Sequence, residues 1–280
     1  MEVVSKPLMG SIDPFLLTFY RFLMGTLVMF IFVLLRGRLK ELKNINKHEF
    51  GKLILMGFLN IFFSMSMLQL AIEAGNAGTA AVIFCSNPLF VLLILVFMGK
   101  EKGSLRNFAP IIIGIVGTFF IMKDKAVSFN YGAIYAILSS ISFAIYSVVA
   151  KNSLKNISPT VANLVSFSAG IIFSAIYIKI MGIGFGISGL FIDGPDLYYN
   201  IFAFFYVGIA LSGFGYILFF KTLKRYSAVS SSYIFLLKPL IATVLSILFL
   251  FEPVGMNFWI GLSFIVLGIS IILLPKKQKL

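Results

Sequence analysis

The feature that most constrains this chain is a series of long apolar runs separated by short polar breaks. A helix needs about 20 apolar residues to cross the ~30 Å hydrocarbon core of a membrane, and the runs have that length. They are continuous and do not alternate every second residue, which favours helices over barrel strands. Charged residues make up 12% of the chain, against roughly 25% in soluble domains. The sequence therefore predicts an all-α polytopic membrane protein.

Charges, glycines and prolines bound these runs and predict nine transmembrane spans. The spans are 14–35, 49–72, 77–98, 108–122, 131–150, 159–181, 200–223, 228–250 and 258–274. Threading them alternately places most of the 23 basic residues on one side, which the positive-inside rule makes cytoplasmic. Tyr131, Tyr198, Tyr199 and Trp259 begin spans on the other side, where amphipathic rings favour the headgroup layer. We therefore expect a multi-pass protein of the cell membrane with a cytoplasmic C-terminus.

An internal repeat relates the two halves of the chain. Residues 3–25 align without gaps on 148–170, and the rest of the unit aligns at a slightly larger offset. Identical pairs include Val3/Val148, Lys6/Lys151, Pro14/Pro159, Gly25/Gly170, Gly57/Gly208, Pro88/Pro239, Glu101/Glu252 and Gly117/Gly268. The predicted units are 1–125 and 126–280.

The second unit has five predicted helices, so equivalent loops lie on opposite sides of the membrane. This is the inverted-topology repeat of several secondary transporters, whose substrate site lies near the membrane midplane between the halves. The first unit has only four helices, so we expect a first helix of about 20 residues to be missing before Met1. The alternative is a nine-helix protein with an external N-terminus.

The pattern resembles the EamA-type transporters of the drug/metabolite transporter superfamily over nearly the whole chain. Pro14 followed by Arg21 carries the resemblance, as do Pro88 then Glu101, Pro239 then Glu252, and the stretch 228–273. The resemblance implies a bundle of ten helices that transports small solutes, often exporting amino acids or related metabolites.

Several other functions lack the residues that they need. No Walker loop, H-E-x-x-H helix or pair of intramembrane aspartates is present in the sequence, so neither an ATP-driven pump nor an enzyme is predicted. His48 is the only histidine and Cys85 the only cysteine, so we expect no metal and no cofactor. The basic residues lie at helix ends and form no patch interleaved with aromatics, so no nucleic-acid partner is expected. Lipid and a small-molecule substrate are the predicted partners, and a homodimer is left open.

Lys238 is the sharpest candidate for substrate binding, because it lies near the middle of the span 228–250. A cation there costs about 2.5–3.5 kcal/mol on insertion scales, so it needs a wet cavity or an acidic partner. No predicted span has an Asp or Glu in its interior. Lys238 therefore either binds an anionic group of the substrate, or it caps carbonyls loosened by Pro239 or reaches Glu252. Asn87 occupies the matching position of the first repeat.

Arg21 lies about two turns into its helix from the external side. We expect it to pair with Glu73 or Glu252 and to hold helices together, with substrate contact or gating as the alternative.

Further candidates follow from the prolines and from small polar stripes. Pro88 and Pro239 should bend their helices and free carbonyls beside Asn87 and Lys238. Gly57, Asn60 and Ser64 share one helical stripe, and Gly208, Ser212 and Gly215 share another. Such stripes either pack helices or line a cavity. The remaining candidates are Tyr216 and Tyr233 for substrate binding and Glu101 for a structural or gating role.

The leading functional prediction is a secondary transporter that exports an amino acid or related metabolite. The alternatives are an anion or phosphometabolite carrier built on Lys238, and a membrane scaffold or receptor that transports nothing.

Overall fold

The computed structural model places helices where the sequence has its apolar runs. It describes residues 1–100, 105–122, 131–155, 157–191, 197–226, 228, 231, 237–251 and 254–273. We name the helices that correspond to the predicted spans in chain order: α1 Pro14–Leu35, α2 Lys47–Ala74, α3 Ala77–Phe97, α4 Leu105–Met122, α5 Tyr131–Ser153, α6 Pro159–Ile180, α7 Leu197–Arg225, α8 Leu237–Leu250 and α9 Met256–Leu273. A short helix, Glu2–Ser5, and a 3-10 turn, Lys6–Gly10, precede them.

The predicted all-α polytopic membrane fold is confirmed. Six helices, α1, α2, α3, α5, α6 and α7, are each long and apolar enough to cross a membrane, and α4, α8 and α9 contain shorter apolar stretches. The described residues form no strand. Large apolar side chains such as Leu35, Phe97 and Ile180 are exposed on the outside of the bundle, where lipid would cover them.

Local sequence signals set the ends of several helices. Asp13 caps α1, since its Oδ1 accepts hydrogen bonds from the backbone N–H groups of Phe15 and Leu16 at 2.8 and 3.2 Å. Pro14 occupies the first helical position and has no backbone N–H, so it needs no hydrogen-bond acceptor there. Gly37, Gly99 and Gly182 end α1, α3 and α6 with positive φ angles, a conformation that glycine adopts without a steric penalty.

Two helices widen at corresponding places in the two halves. α2 is π-helical over Phe58–Met65, and α7 is π-helical over Tyr206–Gly215. The Ser212 hydroxyl donates to the carbonyl of Val207, five residues earlier, at 3.0 Å. Wide turns of this kind occur often at functional sites.

α3 is interrupted at its centre. Its first part ends at Phe84 and its second begins at Asn87, with Cys85 and Ser86 in a turn between them. Pro88 has no N–H for the carbonyl of Phe84, four residues earlier. That carbonyl accepts hydrogen bonds from Asn87 Nδ2 at 3.0 Å and from the Ser140 hydroxyl of α5 at 3.2 Å. The predicted bend at Pro88 is thus confirmed, while the chain before Pro239, the third residue of α8, lies outside the described residues.

Glycines let the helices of the two halves cross closely. A Cβ on Gly25 of α1 would meet the backbone of Ser212 in α7, and one on Gly57 of α2 would meet the carbonyl of Ser166 in α6. Gly117 of α4 and Gly261 of α9 each lie against the other's carbonyl. Small residues allow this close approach between membrane helices. α1 therefore packs on α6 and α7, and α4 packs on α9.

Lys6 and Lys151, an identical pair in the repeat alignment, have the same structural role. The Lys6 ammonium donates to the carbonyls of Ile72 and Gly75 at the end of α2, each at 2.6 Å. The Lys151 ammonium donates to the carbonyls of Leu223 and Lys224 at the end of α7, at 2.8 and 3.1 Å. The last carbonyls of a helix lack partners within the helix, and a lysine satisfies them and complements the helix dipole.

Candidate functional site

A cavity of about 370 Å³ lies inside the bundle. Its walls come from the N-terminal segment and from α1, α2, α3, α5, α7 and α8. The lining residues are Met1, Arg21, Met65, Leu68, Phe84, Phe143, Leu211, Gly215, Tyr216, Phe219 and Lys238. Most of this surface is apolar or aromatic, and Arg21 and Lys238 supply its two charged side chains.

Arg21 is fully buried, with only 1% of its surface exposed. Its Nε donates to the Ser212 hydroxyl of α7 at 3.0 Å, and its guanidinium carbon lies 4.8 Å from the centre of the Phe22 ring. Its Nη1 has no hydrogen-bond partner among the described residues. A buried donor without a partner costs about 1–3 kcal/mol, so Nη1 marks a place where a ligand acceptor would be stabilised.

The predicted pairing of Arg21 with Glu73 is wrong. Glu73 is exposed at the end of α2, whereas Arg21 contacts α7 from inside the bundle. Glu252, the other predicted partner, lies outside the described residues, as do Glu101 and Tyr233.

Lys238 has an acidic partner that the sequence analysis missed. Its Nζ donates to Glu2 Oε1 at 2.6 Å, and it also lies 5.0 Å from the centre of the Phe84 ring. Glu2 is completely buried. Glu2 precedes the first predicted span, so the interiors of the spans give no sign of it. Because Glu2 neutralises it, Lys238 is not the isolated intramembrane charge that the sequence implied.

The two π-helical segments bring a second polar group to the cavity. The Tyr216 hydroxyl, directly after the wide turn of α7, donates to Asn60 Oδ1 in the wide turn of α2 at 3.2 Å. Asn163 of α6 supports this turn, because its Nδ2 donates to the carbonyl of Tyr216 at 3.2 Å. Asn60 Nδ2 is buried without a hydrogen-bond partner. Asn60 and Tyr216, proposed separately from the sequence, thus meet across the bundle.

The other candidates support the cavity from outside its lining. The Ser64 hydroxyl donates to the carbonyl of Ser139 at 2.8 Å and ties α2 to α5. Ser212 holds Arg21, and Asn87 bonds to the carbonyl freed by Pro88. Sequence reasoning missed the aromatic members Phe84, Phe143 and Phe219, because apolar residues in apolar helices carry no local signal of facing a cavity.

This arrangement suits a small solute that has one acidic group and an apolar body. Arg21 offers a donor to an anionic group, Tyr216, held by Asn60, offers a neutral polar contact, and the aromatic residues offer an apolar wall. The fold and the cavity together define a polytopic membrane protein with a solute-sized chamber between its helices.

Comparison with known proteins identifies the family. The model of the EamA-like transporter family matches residues 1–123 and 130–274. The chain therefore belongs to the EamA-like transporter family, and it is a transporter. This confirms the family that the sequence resembles.

Individual relatives agree with this assignment. A protein named an uncharacterized transporter in Clostridium kluyveri is 32% identical over 277 residues, which cover 96% of this chain and 86% of that protein. The S-adenosylmethionine uptake transporter of Rickettsia bellii is 31% identical over 150 residues, which cover 54% of this chain and 50% of that protein. A protein of known crystal structure shares the fold over 100% of this chain and 93% of its own, with a TM-score of 0.71 and 18% identity.

Proposed function

We propose that this transporter carries a small organic solute with one carboxylate and an apolar body, an amino acid or a related metabolite. Arg21 is the observation that carries the proposal, because it is a buried cation that lines the cavity with an unpartnered donor. A guanidinium presents its donors in a planar fork that matches a carboxylate.

The charge of the cavity favours a single negative charge on the solute. Glu2 neutralises Lys238, so the side chains of Glu2, Arg21 and Lys238 together carry one net positive charge. A carboxylate balances that charge. A phosphate ester with two charges would need Lys238 to leave Glu2, and this makes the phosphometabolite carrier the second candidate.

The apolar lining favours a hydrophobic body. Leu68, Phe143, Leu211 and Phe219 form much of the wall, and ligand sites typically combine such surfaces with a few placed polar groups. The proposed substrate set is therefore apolar amino acids and their close relatives. S-adenosylmethionine, after which the Rickettsia relatives are named, belongs in the test panel because it also carries an α-carboxylate.

Export is the proposed direction, and the proposed topology has a cytoplasmic C-terminus in the cell membrane. The proposed repeat units remain 1–125 and 126–280. A homodimer stays open beside a monomer.

The first test is ligand-dependent thermal stabilisation of the purified protein, because a ligand that binds the folded state raises its stability. The probes are leucine, isocaproate, which lacks the amino group of leucine, isoamylamine, which lacks its carboxylate, phosphoenolpyruvate and S-adenosylmethionine. We expect leucine and isocaproate to stabilise the protein and isoamylamine to have no effect. Stabilisation by isoamylamine alone would reject Arg21 as the recognition group, and stabilisation by phosphoenolpyruvate alone would favour the phosphometabolite carrier.

Arg21→Gln tests the residue itself. Losing a hydrogen bond to a charged group costs about 1.5–3 kcal/mol, so we expect leucine affinity to fall roughly 10- to 100-fold. Arg36→Gln is the matched control, because Arg36 ends the same helix in an exposed position. Equal losses in the two variants would contradict the proposal.

Transport itself is measured as counterflow of labelled leucine in proteoliposomes. We expect flux in the wild type, and the side from which it starts reports direction when the protein's orientation in the vesicle is known. Absence of flux for every probe in the panel would favour the scaffold alternative.

A further inference from the structure

We propose that a groove on the outside of the bundle binds one anionic phospholipid. The acyl chain lies in the groove, and the headgroup meets the basic segment 36–52 at its end. The site is separate from the cavity, because none of the residues that line the groove also lines the cavity. It is therefore independent of the solute that the protein carries.

The groove lies between α1, α2 and α6 and has a volume of about 470 Å³. Phe30 of α1 and Phe50 and Ile54 of α2 form its sides. The lining residues of α6 extend from 164 to 173, which is about 14 Å along the helix at 1.5 Å per residue. The groove is therefore long enough to hold an extended part of an acyl chain.

The surface of the groove is apolar. Of the described residues that line it, Ser168 alone has a polar side chain, and its hydroxyl donates to the carbonyl of Leu164 in the same helix at 2.8 Å. Phe50 and Ile172 are exposed. Sites for polar solutes contain placed polar groups that orient the ligand. This surface instead suits a hydrocarbon chain, which packs on membrane helices by van der Waals contact.

Basic residues surround one end of the groove. The segment 36–52 carries a net charge of +4 with His48 neutral, since it contains two acidic residues, Glu41 and Glu49, and six basic ones, Arg36, Arg38, Lys40, Lys43, Lys47 and Lys52. Clusters of basic residues beside a membrane helix attract anionic lipid headgroups. The charge of this segment therefore favours an anionic lipid over a neutral one.

Two of these lysines lie next to residues that line the groove. Lys43 follows Leu42, which lines the groove from a short helix, Leu39–Lys43, that contacts α6. Lys47 is the first residue of α2. It precedes Phe50 by three residues and Ile54 by seven, so the three share one face of the helix. Lys43 and Lys47 are exposed and can therefore reach a phosphate at the groove end.

The other half of the repeat lacks an open groove at the corresponding place. There α1 has bulkier residues than α6 at four positions of the alignment, namely Phe19 for Leu164, Tyr20 for Val165, Leu23 for Ser168 and Met24 for Ala169. The loop after α6 also packs on them. The Phe185 ring lies 5.6 Å from that of Phe19, and its carbonyl accepts from the Tyr20 hydroxyl at 2.7 Å. The open groove is thus a feature of one half alone among the described residues.

The first test is native mass spectrometry of the delipidated protein with equal amounts of phosphatidylglycerol and phosphatidylcholine that have the same acyl chains. We expect one phosphatidylglycerol to be retained in preference to phosphatidylcholine. Equal retention of the two lipids would overturn the proposal. Glycerol phosphate has the headgroup charge without the chain, and we expect it to give no thermal stabilisation. Stabilisation equal to that by phosphatidylglycerol would assign the site to a free phosphate.

The role of the charges is tested with Lys43→Gln/Lys47→Gln. We expect its affinity for phosphatidylglycerol to fall roughly 30-fold, because each basic residue near a headgroup contributes about fivefold. Lys155→Gln/Arg225→Gln is the matched control. It removes the same charge from exposed positions after α5 and at the end of α7, and should bind the lipid as the wild type does. Equal losses in the two double variants would overturn the proposal.

The role of the groove is tested with Ser168→Phe, which places an aromatic ring among its lining residues. We expect retention of phosphatidylglycerol to be lost, and to be kept in Ile176→Phe, where the ring is added at an exposed position of α6 outside the groove. Ser168→Leu, with the residue of the other half, replaces Ser168→Phe if that variant does not fold. A dimer that becomes a monomer in the groove variant, with lipid retention unchanged, would assign the groove to a second copy of the chain and overturn the proposal.

Discussion

Corresponding positions of the two halves differ sharply in charge. Arg21 and Lys238 correspond in the repeat alignment to Ser166 and Asn87, and Glu2 and Ser147 lie directly before its two aligned stretches. The charged set bonds between helices, with Lys238 on Glu2 and Arg21 on Ser212. The neutral set bonds within its own helix or bend: Ser147 to the carbonyl of Phe143, Ser166 to that of Asn163, and Asn87 to that of Phe84.

A symmetric scaffold thus carries an asymmetric site. The glycine crossings and the lysine caps recur in both halves, but the charges occur at only one member of each corresponding pair. The charged residues of the lining therefore have uncharged counterparts in the repeat, and Met65, which corresponds to Tyr216, helps to form the apolar remainder.

The largest expected effect tests whether the charged set forms one electrostatic unit. Glu2→Gln or Lys238→Gln alone should lower the free energy of unfolding by up to about 3–5 kcal/mol, because each removes one partner of the largely buried ion pair between Lys238 and Glu2. The double variant should recover most of that loss. Unfolding in mixed detergent micelles measures all three, and additive losses would show that the two residues act independently.

The glycine crossings of the two halves are expected to differ in how well they tolerate a side chain. Gly57→Ala should destabilise the protein by about 1–3 kcal/mol, since its Cβ would meet the backbone of Ser166 and Gly170. Gly208→Ala, at the corresponding position, should cost less because its Cβ meets the flexible side chain of Met24. Gly51→Ala is the control: nothing lies within 4 Å of its Cβ, and alanine there should stabilise the helix by up to about 1 kcal/mol.

The third prediction tests the element that the halves share. Lys6→Met and Lys151→Met should each reduce stability by a similar amount, about 1 kcal/mol, because each removes hydrogen bonds to helix-end carbonyls. Lys179→Met, an exposed position near the end of α6, should have little effect. Thermal unfolding of the three variants measures these changes in stability. If only one of Lys6→Met and Lys151→Met lowered the stability, the two lysines would not have equivalent roles.

The smallest expected effect concerns Tyr216. Tyr216→Phe should cost about 0.5–1 kcal/mol, because it removes one hydrogen bond to Asn60 and leaves the ring in place. Tyr198→Phe is the control, since Tyr198 is 84% exposed. A large loss of leucine affinity with unchanged stability would instead assign the hydroxyl to the solute.

The features that could be predicted from the sequence are those that depend on one segment at a time. Hydrophobic run length located the helices, Pro88 located the bend of α3, and the charges of Arg21 and Lys238 singled them out within apolar surroundings. The pair Lys6/Lys151 was visible as a repeat identity, although its contacts were not.

The features that could not be predicted from the sequence are contacts between segments that lie far apart along the chain. Lys238 and Glu2 are 236 positions apart, and no periodicity within either segment relates them. Arg21 was expected at an acidic partner near the surface, but the crossing of α1 and α7 at Gly25 places it on Ser212 instead. The aromatic lining of the cavity is equally invisible, because the lipid-facing and cavity-facing sides of these helices are both apolar.

The wide turns of α2 and α7 have a consequence for helix phase. Each residue advances an α-helix by about 100°, so a wide turn that holds one additional residue offsets every later side chain by roughly that angle from its position in a regular α-helix of the same sequence. Tyr216 follows such a turn directly, so the number of residues in that turn decides whether its side chain faces the cavity. If the same residues were α-helical throughout, Tyr216 would rotate off the inner face and a different side chain would face the cavity. In this architecture, the length of a turn selects the inward-facing residue as effectively as substitution does.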